Sequence, residues 1–184
     1  MVPRPSWGTN AMNVQQLPPA VSFIARSGTG KTTLITALIE ELKGRGYKVG
    51  AIKHDAHKFE IDHPGKDSYR FTESGADSML ISSSSKLAFV KQHRQTPEID
   101  QLISDYFPDV DIVLVEGFKK LGLPKIEVYR QEHGGSLLCR GERPDPALLA
   151  VATDTILDVD VPQLELNNPH SVVDFLVAKL ELKS

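Results

Sequence analysis

Gly28, Gly30, Lys31 and Thr32 are the residues whose types and spacing most directly imply chemistry. They lie in Ser27-Gly28-Thr29-Gly30-Lys31-Thr32-Thr33, which follows the apolar run Val21-Ser22-Phe23-Ile24 after Ala25-Arg26. Glycines let successive backbone N–H groups turn inward on a polyanion, and the loop opens on a helix N-terminus whose dipole favours negative charge. Lys31 would then reach the terminal phosphates of a nucleoside triphosphate, and the Thr32 hydroxyl would ligate Mg²⁺ held by those phosphates. Ser27, Thr29 and Thr33 complete the predicted phosphate-binding stretch, with Thr33 the weaker metal candidate. Ala25 replaces the first glycine of such a loop, which suits an extended strand end and would fit poorly at positive φ.

A phosphate loop needs a second Mg²⁺ contact, usually a carboxylate at the C-terminal end of a neighbouring strand, because that edge faces the nucleotide. Glu116, directly after Ile112-Val113-Leu114-Val115, is the candidate, acting directly or through water; an acid that only caps a strand edge is the alternative. Lys53, His54, Gly65, Lys66, Asp67, Ser68 and Arg70 place cations and donors after the second strand, suited to a second phosphate-bearing ligand or to a switch around the γ-phosphate. For each of these a solvated polar loop is an equal reading. His54, His57 and His63 raise a metal reading, but their spacing is loose and no cysteine stands nearby. Thr153 and Asp154 stand where a base-reading carboxylate would sit, although a strand-end turn explains them equally well. No Asn-Lys-x-Asp segment is present to hold guanine. No catalytic residue is assigned, since no glutamine or arginine is evidently aimed at an attacking water, which fits slow hydrolysis.

The elements that must position these groups read as an α/β chain. Leu34, Ile35, Leu38, Ile39 and Leu42 recur at helical spacing after the loop, and Gly44 or Gly46 ends the helix. Residues 47–53 then read as a buried strand, giving the βαβ unit of a parallel sheet. A short helix over 68–74, a hairpin over about 78–91 and a helix from Thr96 and Pro97 to about Tyr106 follow. Residues 111–117 are another buried strand. Residues 126–129 and 148–152 are two more, predicted as an antiparallel addition around 125–150. Asn168 and Pro169 open a last helix with Val172, Val173, Leu176, Val177 and Leu180 on its apolar face. The predicted fold is a three-layer P-loop domain over residues 19–184, with a mostly parallel sheet and a hairpin extension, behind a flexible tail at 1–18.

At 184 residues the chain has room for one such domain, and its net charge of −3 with mixed signs excludes the basic stripe of a nucleic-acid binder. Cys139 is the one cysteine, so no intramolecular disulfide forms and a reducing compartment fits. No apolar stretch approaches the length of about 18 residues that spans a membrane, and no signal segment opens the chain, so a cytoplasmic protein is expected.

Four ordered motifs, Ser27–Thr33, Ile52-Lys53-His54, Pro64-Gly65-Lys66-Asp67-Ser68-Tyr69-Arg70 and Val115-Glu116-Gly117-Phe118-Lys119, together resemble the MobB family of molybdopterin-guanine dinucleotide biosynthesis adaptors. The resemblance covers the chain from about Pro18 onward. It implies a GTP-binding, weakly GTP-hydrolysing homodimer that assists a separate MobA-type guanylyltransferase in attaching GMP to molybdopterin, with Mg²⁺ as cofactor and molybdopterin as a further candidate ligand. It also implies kinship with dethiobiotin synthetase and metallochaperone GTPases, in many of which a second lysine, at the position of Arg26 here, reaches across a dimer. An ATP-dependent small-molecule kinase or ligase of the dethiobiotin synthetase type is the alternative, with the Gly65–Arg70 loop as acceptor site; a nickel metallochaperone using the three histidines is a third.

Overall fold

The computed structural model describes residues 17–54, 61–118 and 122–183, so the predicted tail and His57 lie outside the described residues, apart from Leu17 and Pro18. Eight strands and four helices follow in the order β1 (Ala20–Ala25), α1 (Lys31–Gly44), β2 (Val49–Lys53), α2 (Asp67–Glu73), β3 (Ser78–Ser82), β4 (Leu87–Lys91), α3 (Ile99–Tyr106), β5 (Ile112–Glu116), β6 (Lys125–Tyr129), β7 (Leu148–Thr153), β8 (Gln163–Glu165) and α4 (Pro169–Lys179). Six of the strands form one sheet in the order β2-β5-β1-β6-β7-β8, and β3 and β4 form the separate antiparallel hairpin.

Every pairing in the large sheet is parallel. The predicted antiparallel addition is therefore corrected: β6 runs parallel to β1, and β7 parallel to β6. The connection between β6 and β7 holds two short 3-10 turns, Gln131–His133 and Leu138–Arg140, and is long enough to return the chain to the starting edge, which a tight hairpin could not do. Strand β8, three residues long with one apolar side chain, carries no readable pattern and is held by parallel pairing to β7.

Both faces of the sheet are covered, which is why its central strands are apolar without alternation. Val21, Phe23 and Ala25 face α1 and α4, joining Leu34, Leu38, Leu42, Val172, Val173 and Leu176 in one core. On the other face Ala20, Val113 and Val115 meet Ile99 and Ile103 of α3. The helix begins at Ile99, two residues after the predicted Pro97, because Glu98 stays extended at φ −67° and ψ 146°. Helix α4 begins as expected: the Asn168 side chain accepts from the Ser171 N–H at 3.2 Å and Pro169 occupies the first turn.

The chain enters at β1 in the middle of the sheet, moves to the β2 edge, returns through β5 and then builds the β6-β7-β8 side. The end of β1 is thus where the strand order reverses, the place at which open parallel sheets bind ligands.

Candidate functional site

Strand β1 stops at Ala25, which is buried and outside the positive-φ residues, so alanine meets the extended backbone that the substitution requires. Gly28 and Gly30 do adopt positive φ, 83° and 85°, where a side chain would be strained. Thr29 is buried between them and donates its hydroxyl to the Arg26 carbonyl at 3.0 Å, closing the loop on itself. Gly30 is the N-cap of α1 and supplies no side-chain acceptor, and no acidic residue stands in the first turn. The positive end of the helix therefore faces the loop with no compensating acid from α1 itself.

Thr32 and Glu116 meet. The Thr32 hydroxyl donates to Glu116 Oε1 at 3.2 Å with Oε2 at 3.4 Å, and Lys31 Nζ lies 3.4 Å from Oε1. This meeting depends on register. Glu116 ends β5 opposite Phe23 of β1, and the turn after it is tied back by the Ser22 hydroxyl donating to the Gly117 carbonyl at 2.5 Å and by the Gly117 N–H donating to the Phe23 carbonyl at 3.2 Å. Gly117 has φ 100°, and a Cβ there would stand 3.1 Å from the His54 carbonyl oxygen, so only glycine lets β2 and β5 finish side by side. A hydroxyl and a carboxylate beside a lysine are hard oxygen donors of the kind Mg²⁺ takes, so the residues present fit that ion.

Lys53 and His54 are brought to the same edge: Lys53 is in register with Glu116, and the His54 N–H donates to the Glu116 carbonyl at 2.9 Å. The His54 ring packs against Phe118, with centroids 4.1 Å apart and the planes tilted by 37°. Among the described residues no group of three or more His, Cys, Asp or Glu side chains is placed to hold a metal. Lys66, Asp67, Ser68 and Arg70 form the start of α2, which packs against β3, with Gly65 just before them. There Asp67 and Arg70 pair with each other at 3.6 Å in the open, and a hydrogen bond from Ser68 holds the Asp62 carboxyl below the usual carboxylate range.

On the opposite flank Thr153 closes its own strand-end turn, accepting from the Thr155 N–H at 3.2 Å and donating to the Thr155 carbonyl at 3.0 Å. Asp154 instead accepts from the Gln131 N–H at 2.8 Å and from Arg130 Nη1 at 3.5 Å. Both residues border a groove of about 490 Å³ that also includes Gln163 and Asn167. A smaller cleft of about 200 Å³ joins the Gly28–Gly30 loop to this flank, lined by Gly30, Thr33, Arg130, Leu166 and Asn167 among others.

Sequence reasoning missed the loop after β6 altogether. Arg130 stands over Gly30, His133 stands over Gly28, and the Arg26 guanidinium donates to the Ser136 carbonyl at 2.9 Å. The signal was available: a polar residue immediately after a strand that pairs parallel with β1 must emerge at the phosphate edge. Expecting an antiparallel β6 removed that inference.

The matching family model is described as molybdopterin guanine dinucleotide synthesis protein B and matches residues 20–154. The chain belongs to the MobB family. It is 36% identical over 167 residues to the molybdopterin-guanine dinucleotide biosynthesis adapter protein of Escherichia coli (strain K12), covering 86% of this chain and 91% of that relative. The Haemophilus influenzae adapter protein is 35% identical over 159 residues, covering 86% and 87%. A crystal structure of molybdopterin-guanine biosynthesis protein B superposes with a TM-score of 0.66 at 28% identity, covering 88% of this chain and 99% of the other. The MobB family match begins at the first residue of β1 and ends at Asp154, so it contains the Ser27–Thr33 loop, Glu116 and Arg130. The mostly parallel sheet flanked by helices is the P-loop-like architecture of MobB structures.

Proposed function

We propose that this MobB-family chain binds GTP with Mg²⁺, hydrolyses it slowly, and serves as the adapter of a MobA-type guanylyltransferase that attaches GMP to molybdopterin, within a P-loop domain spanning residues 19–184. The observation that carries the nucleotide part is the convergence of Lys31, Thr32 and Glu116 beside a loop held open by two glycines at positive φ. In this reading the backbone from Ser27 to Thr33 cradles the phosphates, Lys31 leaves Glu116 for the terminal phosphates, and Thr32 and Glu116 hold Mg²⁺. The ion, when bound, neutralises charge developing on the phosphate oxygens. Asp154 borders a groove large enough for a base and is the candidate base contact, with Thr153 shaping the turn beneath it. Lys53 and His54, next to Glu116, are placed to respond to the γ-phosphate, and the segment from Gly65 to Arg70 is the candidate contact for molybdopterin or another phosphate-bearing ligand.

A homodimer acting in the cytoplasm completes the proposal. The exposed Leu80, Ile81, Leu87 and Phe89 of the hairpin are apolar surface that a second copy would cover, and among the described residues no helix is long and apolar enough to cross a membrane.

Competition of GTP against ATP for the purified protein with Mg²⁺ tests the base preference. A clear preference for GTP supports the adapter reading, and a preference for ATP favours the kinase or ligase alternative. Lys31→Ala should raise Kd for the triphosphate roughly 30- to 150-fold, the equivalent of losing about 2–3 kcal/mol of charge-assisted hydrogen bonding, with an unchanged melting temperature. Unaltered binding in that variant would reject the phosphate-loop assignment.

A further inference from the structure

We propose that Arg130 is a second phosphate-binding side chain, set on the nucleoside side of the phosphate loop and aimed by Asp154. The inference rests on the nucleotide-binding reading above and adds to it a residue outside the loop. Arg130 Nη2 lies 3.4 Å from the position of a Cβ built on Gly30, so the guanidinium sits directly against the loop's second glycine. Its other contacts are long: Nε reaches the Thr29 carbonyl at 3.4 Å, Nη1 reaches Asp154 at 3.5 Å, and Nε stands 3.8 Å from Glu132. Among the described residues Nη2 has no acceptor, although the side chain is only about a quarter exposed (26%). A guanidinium carries five donors in a fixed fork suited to phosphate oxygens, and here most of them are weakly used or free.

Position decides which phosphate. Lys31 and Glu116 occupy one side of the loop, and a lysine at that position serves the β- and γ-phosphates. Arg130 occupies the other side, in the cleft that runs past Gly30 and Thr33 toward Leu166 and Asn167. A nucleotide laid with its terminal phosphates at Lys31 must leave the loop through this cleft, and its α-phosphate passes the guanidinium. The carboxylate of Asp154, fixed by the Gln131 N–H at 2.8 Å, faces the Nη1 edge of the guanidinium at 3.5 Å, while the Nη2 edge lies toward the loop. Arg130 is thus the binding residue and Asp154 its positioning residue.

The α-phosphate is shared by diphosphate and triphosphate, so the test compares both ligands. The full chain is titrated with fluorescent GDP and GTP analogues in Mg²⁺, as wild type, Arg130→Met, Arg130→Lys, Asp154→Asn, the Arg130→Met/Asp154→Asn double variant and Lys31→Ala. We expect Arg130→Met to raise Kd for both ligands by the same factor, roughly 10- to 100-fold. Arg130→Lys should fall between it and wild type. Asp154→Asn should weaken binding less than Arg130→Met, and the loss in the double variant should fall short of the sum of the two single losses, which independent roles of the two residues would not produce. Should Arg130→Met lower the melting temperature, Arg130→Lys, which retains stem and charge, decides by whether its Kd lies above the wild-type value. Wild-type affinity in the Arg130 variants, with affinity lost in Lys31→Ala, overturns this inference and leaves nucleotide binding standing. A loss confined to GTP also overturns it, by moving the contact to the γ-phosphate. Undiminished binding in Lys31→Ala, or none in the wild type, rejects the underlying reading instead.

Discussion

Strands β1 and β3 have similar compositions, Ala-Val-Ser-Phe-Ile-Ala against Ser-Met-Leu-Ile-Ser, but opposite fates. Every residue of β1 is buried, whereas in β3 only Met79 is, and Leu80 and Ile81 remain more than half exposed. The difference lies in the neighbours. β1 pairs on both sides, with β5 and β6, and has helices over both faces; β3 pairs with β4 alone and has the short α2 beside it. Stability in this chain is therefore concentrated in the centre of the large sheet around β1, and the hairpin contributes surface.

That contrast yields a graded set of outcomes in urea unfolding. Phe23→Ala, a fully buried side chain of β1, should cost about 3–5 kcal/mol. A loss near 1 kcal/mol would show that the centre of the sheet can collapse around the gap and is less tightly packed than its burial implies.

Asp145→Ala should cost about 3 kcal/mol at neutral pH, because Lys125 of β6 is 1% exposed and would lose the carboxylate it pairs with at 2.8 Å. The same pair sets a pH dependence. The Lys125 ammonium holds the Asp145 carboxyl below its usual range, with burial opposing and the Ala147 N–H assisting. That contribution is complete above the ordinary carboxylate pKa of about 3.9 and disappears as pH falls through the lowered native value. Between pH 5 and pH 2, on the order of the range such a group spans, Asp145→Ala should therefore lose stability less steeply than the wild type. Equal slopes would show that Asp145 does not couple to folding.

Asn168→Ala should cost about 1 kcal/mol by removing the cap on the Ser171 N–H of α4, whose apolar face packs on the same core as α1. Leu80→Ser in the hairpin should change stability by less than about 0.5 kcal/mol when measured at a dilution where the chain is monomeric. A larger loss that grows with protein concentration would place a second copy on the hairpin and reverse the contrast between the two regions.

Much of this molecule is legible in its residue pattern. The spacing predicts a hairpin over 78–91 and the hairpin spans Ser78 to Lys91, because two short apolar runs separated by Ser83-Ser84-Ser85-Lys86 leave the chain few other arrangements. Helix α1 is marked by five apolar residues at helical spacing, and α4 by its own cap. The direction of β6 is not legible, since a short apolar strand pairs equally well either way and only the route of the intervening chain decides. The consequence of that ambiguity falls on the site. With β6 antiparallel, Arg130 would emerge at the far edge of the sheet; with β6 parallel, it stands on Gly30.

Residue types and their local spacing were enough to specify the glycine loop, the strand that feeds it and the helix that leaves it, because glycine dihedral freedom and apolar periodicity act over a few residues and need no distant partner. The assembled sheet was needed to bring Glu116 to Thr32 across 84 positions of chain and Arg130 to Thr29 across 101. Those meetings follow from strand order and register, which many residues fix together through the burial of both sheet faces and no local motif encodes.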